Sequence, residues 1–530
     1  MKTKKKEVNY KSPLRKLVIF FKNSRDNWKK KYQETKKEVK RLTNRVRFLE
    51  KSKNSLKNQV KKLEMELKQM KKNEGKIERE VKKIVDKNKK SASKCIDSFD
   101  IIPSHHKYSV GHMMLYISLV LSAAISLRGA SRAIEIFMSF LKHPQAAPSW
   151  YSGRLWLLRL GYYKLMQPKE KAKDWVWIID HTVQLGAEKC LLILGIRLSY
   201  LPCPKRCVNH EDVEPIALYP VTKSNGEIVY EQLEQAIEKT GIPREIVSDH
   251  GSDLKAGIEK FCREHKETCF IYDIKHKTAS ILKKELKNDE AWSEFSKSAS
   301  QTKRKVQQTD LFPFSSPNQR TKARYMNTDI LIKWGRKILN LLEKRKNNGK
   351  KGNLEERFGW VKKFDNDISE WEGILRIMKA SEKFVRKQGI YNGIYHDIKG
   401  LEEFEAHTGR EEKVRKKILA FAAEQEMKVR PKERLLGSSE VIESVFGKFK
   451  YIEKDQAKSG FTGLLLGLPA IVSKTTKEVL QKTMETVPVS KISEWYKKNI
   501  GQSAQSRRRE KFAEPKNKME QKWDQFQAAG

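Results

Sequence analysis

The sequence predicts a multidomain chain: an N-terminal α-helical coiled coil, a helical domain of helix-turn-helix type, and an α/β core interrupted by an all-α insertion. Three observations lead there. A seven-residue apolar repeat runs through the first part of the chain, short continuous apolar runs cluster soon after Pro168, and helically spaced apolar residues with four tryptophans fill residues 291–434. The boundaries that follow are a basic arm (1–27), a dimeric coiled coil (28–90), a helical DNA-binding domain (91–168), a first core segment (169–290), the insertion (291–434), a second core segment (435–499) and a basic tail (500–530).

Composition narrows the partner. The 530 residues hold 110 Lys and Arg against 66 Asp and Glu, a net charge of +44, which calls for a polyanion and above all nucleic acid. With 11 Trp, 16 Tyr and 21 Phe the chain has material for a core, so it is not a disordered polycation. Six Cys in such a length exclude a disulfide scaffold and fit a reducing compartment. The most apolar stretch, His112 to Leu127, is broken by serines and is shorter than the ~20 residues a bilayer needs. The expectation is a protein with no membrane or secretion signal, cytoplasmic and nucleoid-associated if bacterial.

The charge is concentrated at the start. Residues 1–94 carry 34 Lys and Arg and 11 Asp and Glu, just over half of the surplus. From Trp28 to Ile84 a 3–4 spacing selects seventeen positions, fourteen of them apolar or aromatic, among residues otherwise mostly charged. That period is the mark of a left-handed coiled coil, and Val at the first seam position with Leu at the second favours two parallel strands. Lys53 in the seam costs stability and fixes register. The expected product is a homodimer with two cationic arms.

Val110–Leu127 is apolar, Gly129–Leu141 is amphipathic, and after the break at Pro144–Pro148 a capping Ser149 opens a basic, aromatic run. Helix, break and basic helix fit a helix-turn-helix reader, with Arg154 and Arg159 as the DNA-binding side chains; a plain helical bundle fits as well.

After Pro168, Trp175–Ile179, Cys190–Ile196 and Pro215–Tyr219 read as buried strands. Helical spacing over 226–239, a strand at Glu245–Ser248, a helix over 252–265, a strand at Thr268–Tyr272 and a helix from about Lys277 complete the order β-β-β-α-β-α-β-α. Asp180 and Asp249 each follow a strand directly. A carboxylate there is poorly placed for packing and well placed to bind a cation at the sheet edge, although Asp is also an ordinary turn residue. Farther on, a serine-capped helix starts near Ser439, with Val441, Val445 and Phe449 on one face and Glu443 seven residues before Lys450.

Asp180, Asp249 within Val247–Ser252, and Glu443 with Lys450 resemble the acidic triad of DDE transposases of the insertion-sequence type, whose catalytic core has the RNase H-like fold shared with retroviral integrases. The resemblance covers residues 174–286 and 437–455. The Asp249–Glu443 gap of 194 residues exceeds that of the compact members, but some transposase families place a helical insertion there. Those families carry a Cys/Asp-x-x-His signature after the second aspartate, and Asp273-Ile274-Lys275-His276 matches it; a polar strand-to-helix turn is the plainer reading of those four residues.

The resemblance implies a metal-dependent enzyme that binds double-stranded DNA, both element ends and target. Asp180, Asp249 and Glu443 would be catalytic and hold two Mg2+ ions, with Mn2+ as a substitute, and Asp180 would bridge them. Water would release a 3′-hydroxyl at the element end, which then attacks target DNA, while Lys448 and Lys450 hold the phosphate backbone. Asp253 and Glu440 are rival acids. Cys203, Cys207 and His210 offer three soft ligands without an evident fourth, so they read as loop residues rather than a zinc site. No phosphate-cradling or dinucleotide fingerprint appears, so no nucleotide cofactor is expected. The alternatives are a non-catalytic dimeric DNA-binding scaffold and, less well matched to the long insertion, a nuclease for RNA–DNA hybrids.

Overall fold

The computed structural model describes residues 101–140, 146–185, 188–318, 328–347, 353–454 and 462–501, together with parts of 13–57 and residues 508 and 512. The chain divides into two units, Met1–Asp97 and Ser98–Gly530. In the first, the described residues from 15 onward are helical, and Trp28, Tyr32, Val39 and Leu42 of the apolar repeat are 49–70% exposed. The rest of the expected coiled coil, most of the basic arm and most of the C-terminal tail lie outside the described residues.

The second unit opens with three helices, α1 (Val110–Leu121), α2 (Leu127–Phe140) and α3 (Trp150–Met166). The sheet region follows in the expected order: β1 (Trp175–Leu185), β2 (Glu188–Arg197), β3 (Glu214–Val221), α4 (Gly226–Thr240), β4 (Glu245–Ser248), α5 (Ser252–Glu264), β5 (Cys269–Tyr272) and α6 (Ile274–Lys287). Helices α7 (Glu290–Val306), α8 (Thr328–Asn347), α9 (Asn353–Phe358), α10 (Asp365–Gln388), α11 (Ile394–Lys399) and α12 (Gly409–Glu426) form the insertion. Then come α13 (Glu440–Lys454), α14 (Gly467–Ile471), α15 (Lys477–Thr486) and α16 (Val489–Asn499). No helix among the described residues is long and apolar enough to cross a membrane.

The five strands form one mixed sheet in the order β3-β2-β1-β4-β5. β1 pairs antiparallel with β2, and β2 with β3, whereas β1–β4 and β4–β5 are parallel. Both faces are covered, which is why the strands read as unbroken apolar runs rather than as alternating ones. Trp175, Trp177 and Ile179 point into a core with Leu233 of α4 and Phe261 of α5. Val176 and Ile178 point the other way, into the larger core that includes Leu157 of α3, Ile281 of α6 and Ile442 of α13.

Helix α3 is enclosed. Its residues Trp156 to Gly161 are all buried, and it packs against α14, α15, α16 and β3. A Cβ on Gly161 would sit 1.6 Å from the Leu466 carbonyl, so only glycine allows this approach. The expected DNA-reading helix therefore has no free face to lay in a groove over that stretch; its first turn and Met166 at its end open outward. In the insertion, Phe295 packs at centroid distances of 5.3–6.1 Å against Trp292, Trp334, Trp360 and Trp371. Three of the indoles donate inward, to Phe314 O, Thr302 Oγ1 and Asp289 Oδ2. The tryptophans are core, not stacking platforms.

Candidate active site

The parallel β1–β4 register ends at Ile179 opposite Ser248. Asp249 follows β4 directly, whereas β1 runs on to Leu185, so Asp180 stands inside β1 rather than after it as expected, level with Asp249 on strands about 4.8 Å apart. Asp180 continues β1, paired with Leu192 of β2. By alternation its side chain shares the face of Val176 and Ile178, the face on which α13 packs. α13 is apolar at Val441, Ile442, Val445, Phe446 and Phe449, all buried, and this stripe seats the helix with Glu443 toward the strand ends. Asp180 feels the result. Burial, then the negative charge of Asp249, with a further push from Glu443, raises its carboxyl to about 7; the His181 amide and the His276 ring oppose the rise.

Glu443 is held differently. Lys275 Nζ donates to its Oε2 at 2.6 Å, and His276 Nε2 donates to its Oε1 at 3.1 Å. Burial alone would raise the Glu443 carboxyl, but these two bonds outweigh it and hold the group at about 2. Reciprocally, burial would lower His276, yet Glu443 with Asp273 and Asp249 lifts it to about 9. The imidazole is a cation at neutral pH.

Lys275 and His276 occupy the first turn of α6, and Asp273 sets that turn. It is fully buried and caps α6 by accepting from the His276 amide at 2.8 Å through Oδ1. Its Oδ2 accepts from Ser439 N at 2.6 Å and Ser439 Oγ at 3.1 Å. One carboxylate thus fastens the starts of α6 and α13 together. Ser439, directly before α13, joins this tie through its amide and its hydroxyl. The returning chain is pinned to β4 as well: buried Glu245 accepts from Leu436 N at 2.9 Å, and Arg244 grips Glu433 at 2.8 Å. These links bring Glu443 back to the sheet across the insertion.

The rival acids are engaged elsewhere. Asp253 accepts from Lys189 at 2.7 Å and faces His181 at 3.6 Å; Glu440 is paired with Arg386. Lys448 lies 3.1 Å from His210 Nε2, and Lys450 is exposed on the same helix. Arg154 is half-buried near the start of α3. Arg159, expected to reach DNA, is 7% exposed and bonds His106 and the Met484 carbonyl, so a phosphate has no access to it. Cys203 and Cys207 are free thiols. One participant was not singled out from the sequence: Lys275, which sits inside the Asp-x-x-His segment where that match pointed.

The donors of Asp180 and Asp249 are hard carboxylate oxygens, and beyond burial the upward push on Asp180 comes from the negative charge of Asp249, which a divalent cation would relieve; both fit Mg2+. As arranged, no group of three His, Cys, Asp or Glu among the described residues is disposed to hold a metal ion, and both Glu443 oxygens are taken by Lys275 and His276.

No family model and no curated protein matches this chain. Among solved structures it is similar to a Drosophila P element transposase strand transfer complex, at 13% identity, over 72% of this chain and 94% of that one. The TM-score is 0.34, too low to carry an argument.

Proposed function

We propose that this chain is a DDE-type DNA transposase that binds transposon ends and performs metal-dependent strand cleavage and strand transfer. What supports it is that Asp180 and Asp249 stand level on neighbouring β1 and β4 and that the charges of Asp249 and Glu443 both act on Asp180. Asp180, Asp249 and Glu443 are the residues that would hold two Mg2+ ions, which when bound supply charge relief at the attacking and leaving oxygens of a phosphodiester. Burial and the charge of Asp249 favour protonated Asp180, and a bound cation would favour its ionised form. Lys275 and His276 hold the Glu443 carboxylate ionised and in place. Lys448 and Lys450 project from the same helix and are suited to the DNA backbone near the scissile phosphate. A second copy, joined through residues 28–90, covers the exposed apolar repeat and supplies the second end-binding site.

The second reading, a non-catalytic dimeric DNA-binding scaffold, is favoured by one observation: Glu443 is already satisfied by two cations. Nicking of supercoiled plasmid and joining of oligonucleotide 3′-ends in Mg2+ or Mn2+ separates the two. The enzyme reading expects both reactions, each reduced by about 100-fold or more in Asp180→Asn, Asp249→Asn and Glu443→Gln. Wild-type protein that binds DNA without cutting it supports the scaffold.

A further inference from the structure

A cavity of about 730 Å3 opens between the first turns of α3, the turn at Thr462–Gly463 and helix α16, and it shares no residue with the acid site. Its walls are apolar, with Leu155, Leu158 and Ile492 among them. Its polar groups are cationic or hydroxylic: Arg154, Lys497, Tyr151 and Tyr496. Among the described residues no carboxylate pairs with Arg154; the groups that face it are the two phenols. Buried Arg244 and half-buried Arg336, Arg376 and Arg410 each grip a carboxylate, and Arg434 is held by the Gln388 carbonyl and the Tyr391 ring. Glu494, the acid nearest in sequence to Lys497, is paired with Lys491 at 3.0 Å.

The space beside Arg154 is kept clear by Gly463. A Cβ there would lie 3.3 Å from the Tyr496 ring and 4.0 Å from the Arg154 guanidinium. Outside the cavity the aromatic surface continues. Trp150 and Tyr151, 41% and 53% exposed, meet edge-on at 6.0 Å, and Arg128 lies over the Trp150 ring at 5.3 Å. An unneutralised guanidinium in an apolar cleft attracts an anion, and exposed rings beside it offer stacking surfaces to planar groups.

We propose that this cavity binds a nucleotide unit of single-stranded nucleic acid, with its phosphate on Arg154 and Lys497 and its base against Tyr151 or Tyr496. The volume suits one nucleotide, and the Trp150 shelf receives the next base. The assignment does not require the acids to be catalytic. It replaces duplex reading by Arg154 with capture of an unpaired strand.

The test is fluorescence anisotropy with labelled oligo-dT of about 12 nucleotides, full-length protein, chelator present and about 0.2 M salt to weaken general attraction. Arg154→Gln should weaken binding about 10-fold and Lys497→Glu about fivefold. Lys482→Glu, an equal charge change on exposed α15 surface, should leave it within about twofold. The chelator keeps cations from the acid site, which separates this proposal from that one. Thymidine monophosphate should displace the oligonucleotide at lower concentration than inorganic phosphate. Circular dichroism checks folding, and if Arg154→Gln does not fold, the Lys497→Glu against Lys482→Glu comparison decides. Equal losses for those two lysines, no loss for Arg154→Gln and Lys497→Glu, losses as large for a matched duplex as for the single strand, or displacement by phosphate as efficient as by the nucleotide would each overturn the proposal.

Discussion

His276 and Glu443, 167 residues apart in sequence, meet at 3.1 Å and change each other's ionisation: the imidazole rises to about 9 and the carboxyl falls to about 2. The pair shows how the fold closes its long insertion. An ion pair at the sheet's end joins a helix from the first core segment to one from the second.

That coupling has a direct readout. In Glu443→Gln the imidazole loses the bond that lifts it, so its titration should fall from about 9 toward the ordinary 6.5. Two-dimensional NMR of labelled histidine follows it. Because the folded pKa is raised, the pair's contribution from His276 is complete below 6.5 and is lost as pH rises through about 9. A midpoint unchanged by the substitution would mean that Glu443 is not the partner in solution.

Asp180 carries the opposite sign for an acid. Its folded pKa of about 7 lies above the ordinary 3.8, so without a cation its effect on stability is favourable at low pH and is lost as pH rises through about 7. Asp180→Asn should therefore unfold at a higher temperature than wild type near pH 8, with the gap narrowing as pH falls below about 7 and closing only near the ordinary 3.8. Mg2+ should raise the wild-type unfolding temperature more at about pH 8 than at about pH 6, and should do little for the variant. Thermal scans with and without chelator measure both.

Asp273 is a structural tie. Asp273→Ala leaves the Ser439 amide and the first turn of α6 without an acceptor inside a closed core, at a cost of about 2–3 kcal/mol. The denaturant midpoint should drop accordingly, and strand cleavage should fall even where the variant remains folded, because α6 and α13 no longer share an anchor. Wild-type stability would show that the contact is not maintained.

Removal of residues 28–84 should convert a dimer into a monomer in analytical ultracentrifugation at micromolar concentration, with loss of paired-end binding. A deletion variant that stays dimeric would place the self-association elsewhere.

Much of the sheet was legible in the sequence, for a physical reason. Strands buried on both faces must be apolar throughout, so β1, β2 and β3 announced themselves, and polar residues at their ends stood out. The carboxylates Asp180 and Asp249 were visible on that ground. The role of Asp273 was only half visible, because its four-residue match pointed to His276 while its own side chain turned to Ser439, far along the chain. The setting of α3 could not be read. Its basic, aromatic sequence resembles an exposed reader, whereas Arg159 is buried by the Met484 carbonyl and Gly161 by Leu466. Contacts of that range leave no local pattern.

The central claim is that Asp180, Asp249 and Glu443 share a pair of divalent cations. Anomalous diffraction from crystals grown with Mn2+ tests it most directly. The account predicts two peaks about 3.5–4 Å apart beside Asp180 of β1 and Asp249 at the end of β4, with Glu443 drawn off Lys275 and His276 toward one of them. Density that shows no ion beside Asp180 and Asp249, with Glu443 still bound to its two cations, would contradict it.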